Sequence, residues 1–260
     1  MAERTPILFF GHGSPMNAVE DNGYTRALQA LGGRLERPKA LLCVSAHWTA
    51  PGLRLGAAVA PRLVYDFYGF PPELYRVAWP APGDPGSARR AAALLAGFEP
   101  GLDERRGLDH GVWSPLARVF PEAEVPVFQL SLDPERPASE HLAIAAALAP
   151  LRAEGVLVAG SGNVVHNLGE VSFGGEAPPP DWALSFDEAM ARALAGRDLG
   201  AVVRAVDASR EGRLRAHPTV EHLLPLLYAL ALAAPDEGPE TVYEGFQNGS
   251  ISMRTVGWGL

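Results

Sequence analysis

The apolar positions of this chain fall into short runs that stop abruptly. Ile7-Leu8-Phe9-Phe10 ends on Gly11-His12-Gly13-Ser14, and Leu41-Leu42-Cys43-Val44-Ser45-Ala46 ends on His47. A third run, Val156-Leu157-Val158-Ala159, passes through Gly160-Ser161-Gly162 to His166. Continuous apolar runs bounded by turn residues predict buried strands. The spacing between them predicts helices over 22–31, closed by Gly32-Gly33, and over 87–95. A short helix runs through Leu116 to Phe120, and a helix over 140–148 starts behind Ser139 as its cap; two more cover 182–194 and 199–206. Strands are expected over 39–45 and 125–132, with a weaker one over 54–60. Asn248-Gly249, between strand-like flanks over 241–256, predicts a hairpin. Strands alternating with helices give an α/β fold: one domain over 1–260, a central mostly parallel or mixed sheet with helices on both faces, and a carboxyl-terminal antiparallel hairpin.

In such sheets ligands gather outside the carboxyl ends of the strands. Histidines ending successive strands therefore share one expected location, and His12, His47 and His166 are expected to converge. A neutral imidazole is a good donor to iron, zinc, copper or nickel, and three such ligands leave positions open for substrate. The expectation is a metal site. Of the seven histidines, His141 lies in the first turns of a helix and reads as structural, and His217 reads as a turn or cap residue. Neither a His-Glu-x-x-His pair, nor a Gly-x-Ser-x-Gly elbow, nor a complete phosphate-binding loop is present, so the ligands must come from distant parts of the chain.

Composition narrows the classes. The 260 residues carry a formal net charge of −8 with scattered basic residues, which excludes a nucleic-acid footprint. No apolar run is long enough to span a bilayer. Residues 1–6 lack the features of a secretory leader, and a cytoplasmic protein is expected. Cys43, the single cysteine, sits in an apolar run and reads as a buried, inert thiol. The stretch Val64-Tyr65-Asp66-Phe67-Tyr68-Gly69-Phe70-Pro71-Pro72 breaks the alternation of elements with four aromatics. Aromatic loops of this kind wall small-molecule pockets, and Tyr65, Phe67, Tyr68, Trp48 and Trp113 are the candidates to line one.

The motifs taken together carry a resemblance. Gly11-His12-Gly13-Ser14-Pro15-Met16-Asn17, Ser45-Ala46-His47-Trp48, Asp66-Phe67-Tyr68-Gly69-Phe70-Pro71, Leu108-Asp109-His110-Gly111-Val112-Trp113, Gly162-Asn163-Val164-Val165-His166-Asn167 and Glu221-His222-Leu223-Leu224-Pro225-Leu226 occur in that order. The pattern resembles the DOPA 4,5-dioxygenase family of class III extradiol ring-cleavage dioxygenases. The resemblance implies a non-haem Fe(II) enzyme, in which zinc often takes the same site, that opens catecholic diols with O2. It implies His12 and His47 as metal ligands, His222 as the third, His166 as ligand or acid/base, and His110 in the substrate pocket. The wider superfamily uses two histidines and a glutamate, whereas here Glu221 and His222 are adjacent. Neighbours on a helix point about 100° apart, so one of the two is the ligand; His222 is taken, with Glu221 as the alternative. Ser14 and Asn163 are expected to support the metal histidines. Two other readings use the same residues: a zinc hydrolase, and a non-catalytic metal-binding protein on the same scaffold.

Overall fold

Both faces of the apolar runs are covered by helices, which is why the runs are continuous rather than alternating. A computed structural model of the chain describes residues 4–172 and 177–260; residues 1–3 of the amino-terminal stretch considered above lie outside them. Strand β1 (Ile7–Gly11) is buried throughout, with Ile7 and Phe9 entering one core and Leu8 and Phe10 the other. Strand β2 (Ala40–Thr49) divides in the same way, Leu42 and Val44 against Leu41 and Cys43. The remaining strands are β3 (Arg54–Gly56), β4 (Gly101–Asp103), β5 (Val127–Leu132), β6 (Val156–Gly162), β7 (Pro239–Tyr243), β8 (Phe246–Gln247), β9 (Ile251–Ser252) and β10 (Thr255–Trp258).

The main sheet runs β4-β3-β5-β2-β6-β1-β10-β7. Its centre, β5-β2-β6-β1, is parallel, and β10 closes one side antiparallel to both β1 and β7. The Asn248-Gly249 signal marks a hairpin nested inside that outer pair, β8 against β9, with both turn residues at positive φ. The helices are α1 (Gly23–Gly32), α2 (Pro85–Leu94), α3 (His110–Val119), α4 (Ala138–Leu148), α5 (Pro150–Ala153), α6 (Asp181–Ala195), α7 (Leu199–Arg210) and α8 (Leu224–Leu232). Residues of α1 and α3 fill one core, and residues of α2, α4, α7 and α8 fill the other. No helix among the described residues is long and apolar enough to cross a membrane.

Several boundaries differ from the sequence expectation for physical reasons. Strand β2 continues past Ser45 through His47 to Thr49, so His47 projects from the strand and not from a turn. The strand expected over 54–60 is confined to β3. Pro137 holds the cap position of α4 with no side-chain bond, and Ser139 lies inside the first turn. Helix α8 has no amphipathic signal because it is buried nearly all round. Its Pro225 falls in the first turn, where a missing N–H costs nothing.

Two histidines are fully buried in the packed interior. His141 Nδ1 meets the Tyr228 hydroxyl at 2.9 Å, and burial pulls this histidine down to about 4. His217 occupies a turn, donates Nε2–H to the Val164 carbonyl at 2.8 Å, and is likewise pulled down to about 4 by burial. Cys43 is buried, and burial pushes its thiol up. A histidine held neutral in the folded state but free to protonate near 6.5 when unfolded stabilises the fold fully above that value. The contribution is lost as pH falls from about 6.5 towards 4, where the unfolded chain binds the extra protons, at no more than about 1.4 kcal/mol per pH unit per group. Urea midpoints measured across this window are therefore expected to fall with pH, and His141→Gln, which cannot titrate, is expected to flatten the slope.

Candidate metal centre

The parallel strands β1, β2 and β6 lie side by side, so their carboxyl ends open together. His12 follows β1 directly, and its backbone N–H donates to the Gly162 carbonyl across the sheet at 3.0 Å. His47 stands, partly buried, near the carboxyl end of β2. His222 arrives from the turn ahead of α8, and the glycines of β6 are what admit it: a Cβ on Gly162 would lie 2.2 Å from the His222 carbonyl oxygen, and one on Gly160 would lie 2.3 Å from that of Pro225. With no side chains there, the turn rests on the strand, and Asn163 N–H donates to the His222 carbonyl at 3.0 Å. The result is a trio of ring nitrogens, with His12 Nε2 3.0 Å from His47 Nε2 and His222 Nε2 3.3 Å from His47 Nε2.

The proton positions follow from the partners behind each ring. Ser161 donates its hydroxyl to the Gly111 carbonyl, so its oxygen accepts from His12 Nδ1–H at 3.0 Å. The Glu221 carboxylate accepts from His222 Nδ1–H at 3.1 Å. Asp66 Oδ2 faces His47 Nδ1 at 3.3 Å, and a carboxylate can only accept. Burial, reinforced by the neighbouring histidines, lowers His12 and His222 well below the usual histidine range. Burial also brings His47 down to about 4, with His110 adding to the effect and Asp109 and Asp66 opposing it. All three rings are therefore neutral at neutral pH, with protons on Nδ1 and lone pairs on Nε2.

Three lone pairs aimed at one point repel unless something positive lies between them. Imidazole nitrogens at about 2.1 Å from a shared ion stand about 3.0–3.4 Å apart at octahedral to tetrahedral angles. The 3.0 and 3.3 Å separations match that demand, and His12, His47 and His222 are close enough to hold one ion. A second set, His47, Asp66 and His110, is equally close. Of its facing nitrogens, however, His110 Nδ1 already gives its proton to Asp66, and His47 Nδ1 faces the same carboxylate at 3.3 Å.

His110 opens α3, its ring centroid 4.0 Å from that of His47. Its neighbour Gly111 leaves room for the end of β2: a Cβ there would come within 2.8 Å of Ser45 Oγ and 3.0 Å of the His47 ring. His166 lies four residues beyond β6 and stacks flat on His222, centroids 3.5 Å apart and planes 4° from parallel, outside the trio of converging nitrogens. Burial, with His217, His47 and His110 adding to it, lowers His166 to about 3. Of the aromatic candidates, Phe67 packs edge-on to His110 at 5.7 Å. Tyr65 donates its hydroxyl to the Val77 carbonyl at 2.9 Å, and Tyr68 is 92% exposed. Trp113 is wholly buried, its indole N–H on the Val64 carbonyl at 3.0 Å, and Trp48 packs under the Arg106 guanidinium at 5.0 Å. Ser14 caps the turn after His12, accepting from Met16 N–H, and the Asn163 amide donates to the Ser252 carbonyl at 2.9 Å.

The residues that sequence reasoning left out are the acceptors behind the rings. Asp66 stood inside the aromatic stretch, where its neighbours drew the attention. Asp109, fully buried, accepts from Ser45 Oγ at 2.6 Å, Gln129 Nε2 at 2.7 Å and Arg106 at 2.8 Å, and Ser45 in turn accepts from His47 N–H. Ser161, between the glycines of β6, sets the His12 tautomer.

These features define an α/β protein with a three-histidine centre at the carboxyl edge of a parallel sheet, and a family model assigns the class. The model for the catalytic LigB subunit of aromatic ring-opening dioxygenase matches residues 6–257, and the chain belongs to that family. It is 44% identical over 257 residues to the 4,5-DOPA dioxygenase extradiol of Escherichia coli (strain K12), covering 97% of this chain and 94% of the relative. It is 36% identical over 252 residues to the 4,5-DOPA dioxygenase extradiol of Portulaca grandiflora, covering 94% and 92%. The crystal structure of an uncharacterized protein from Escherichia coli K12 matches with a TM-score of 0.86 at 41% identity, over 98% of this chain and all of that one.

The geometry separates the two adjacent candidates at 221 and 222. In metal titrations of the purified protein, His222→Ala is expected to abolish stoichiometric binding of a divalent ion. Glu221→Gln, which removes only the acceptor behind the ring, is expected to weaken binding about 10- to 100-fold.

Proposed function

We propose that the protein is an extradiol ring-cleavage dioxygenase that inserts O2 into a catecholic, DOPA-like substrate at a non-haem Fe(II) centre held by His12, His47 and His222. The observation that carries this reading is the convergence of three neutral Nε2 donors inside a chain of the aromatic ring-opening dioxygenase family. The names of the Escherichia coli and Portulaca grandiflora relatives support the choice of a DOPA-like diol. A bound Fe(II) supplies the redox chemistry that lets dioxygen react with an electron-rich ring, which no amino-acid side chain can provide.

The protein's own groups then divide the remaining work. The trio's neutral charge leaves the site attractive to a diol that has lost a proton. His166, beside His222, is held neutral by burial, so it has a lone pair at neutral pH to accept that proton. The negative charge left on the diol would stabilise the imidazolium that results. Returning the proton later in the cycle needs no second group. His110 is turned by Asp66 so that its other ring nitrogen is free to hydrogen-bond the substrate or oxygen. Phe67, at the edge of His110, offers an apolar face to an aromatic ring.

The test is oxygen uptake by protein reconstituted anaerobically with Fe(II) and offered a panel of catechols including DOPA, with zinc-loaded protein as the control. Iron-dependent uptake with a coloured ring-opened product is expected; uptake by neither form rejects the reading in favour of zinc hydrolysis or a non-catalytic role. In the same assay His166→Ala is expected to keep its metal and lose about 10²- to 10⁴-fold in kcat. Loss of metal from that variant would make His166 a ligand instead.

A further inference from the structure

We infer that Asp66 is a positioning residue of the reaction, one carboxylate that fixes the metal-binding ring of His47 and the substrate-facing ring of His110 together; this rests on the ring-cleavage reading above. Its Oδ1 accepts His110 Nδ1–H at 2.9 Å and the His110 backbone N–H at 3.1 Å. Its Oδ2 lies 3.3 Å from His47 Nδ1. Two His110 donors thus bond one oxygen of this side chain, and the His47 ring faces the other. Because a carboxylate only accepts, it fixes the His110 proton on Nδ1 and favours the same tautomer of His47, whose Nε2 meets those of His12 and His222. A His47 protonated on Nε2 has no lone pair there to offer an ion held with His12 and His222, so the tautomer matters as well as the position.

Asp66 is itself held by its neighbours in the chain. Tyr65 is tied to the Val77 carbonyl and packs on Trp113, while Phe67 packs on His110, Trp113 and Tyr75. The aromatic stretch read from the sequence as a pocket wall thus also aims an acid between two of the site's histidines. The Asp66 side chain is 23% exposed, so replacing it opens no cavity in the core. Asparagine offers one acceptor and one donor where two acceptors are needed. It can serve His110 or His47, but not both.

The experiment compares Asp66→Asn with wild type. Titration of metal-free protein with Co(II) is expected to show about 10- to 100-fold weaker binding. Imidazole 15N spectra of the metal-free protein are expected to show His47 or His110 leaving the Nδ1–H tautomer for a mixture. At saturating Fe(II), kcat on the best catechol of the panel is expected to fall about 10- to 100-fold, with KM changed less than about threefold. Unchanged Co(II) affinity, or unchanged tautomers at both rings, overturns the proposal. Should Asp66→Asn fail to fold, Asp66→Ala, which removes both acceptors, is held to the same measurements. If wild-type protein cleaves no catechol, the ring-cleavage reading fails by itself, and the Co(II) and 15N results still decide the role of Asp66.

Discussion

Three converging imidazole lone pairs, His47 Nε2 lying 3.0 Å from His12 Nε2 and 3.3 Å from His222 Nε2, form the constraint on which the rest of this structure depends. Neutral nitrogens at that distance repel, and each ring would rotate away if its far side were free. None is free. Ser161 holds His12, Asp66 faces His47, and Glu221 holds His222. The Ser161 hydroxyl in turn donates to the Gly111 carbonyl, so one short chain of bonds joins β1, β6 and the first turn of α3. The rings are thus preorganised by the fold, and binding of a cation completes an arrangement whose ordering cost is already met by packing around it.

A second buried network carries the same logic one layer deeper. Asp109 would be costly in the interior without partners, and it has three: a hydroxyl, an amide and a guanidinium. Through Ser45, which also receives His47 N–H, this carboxylate fixes the end of β2. Asp187 and Arg254 form a comparable buried pair near the carboxyl terminus, with Ser252 donating to Asp187 at 2.6 Å. The Ser252 carbonyl accepts from Asn163, so the pair supports the turn that follows β6. The centre therefore sits where two buried charge networks meet the parallel strands, and its geometry is over-determined from both sides.

The strands were legible because burial on both faces makes them apolar without interruption, and their endings on His12 and His47 pointed to the right edge of the sheet. His222 was not legible from local pattern. It lies in a turn before a helix buried nearly all round, where periodicity vanishes, and only the family resemblance singled it out. The histidine that spacing did single out, His166, stacks on His222 and stays outside the trio. The reason is chain length: three residues separate the end of β6 from His166, enough for the chain to turn past the strand edge and pair at Ile251. Trp48 and Trp113 looked like pocket residues by composition. Strand alternation turns Trp48 away from His47, and Trp113 fills the core beneath the aromatic stretch. Hydrogen-bond acceptors such as Asp66 and Asp109 leave no periodic trace in a sequence, since what selects them is a partner far along the chain.

The adjacency of Glu221 and His222 bears on the chemistry as well as on the ligand count. A carboxylate in the ligand set would cancel half the charge of a divalent ion, leaving less to attract an anionic diol. Here the carboxylate lies behind the ring instead, accepting from Nδ1, and Asp66 stands in the same relation to His47. Both acids raise the donor strength of the histidine in front of them without lying on the open side of the centre. On the ring-cleavage reading proposed above, a trio of neutral donors would present the full charge of a divalent ion to whatever binds opposite, and would favour an ionised diol over the neutral one by simple electrostatics. On the same reading, the depressed basicity of His166 has a role: a centre that lowers the diol's own affinity for its proton would hand that proton to a weak base.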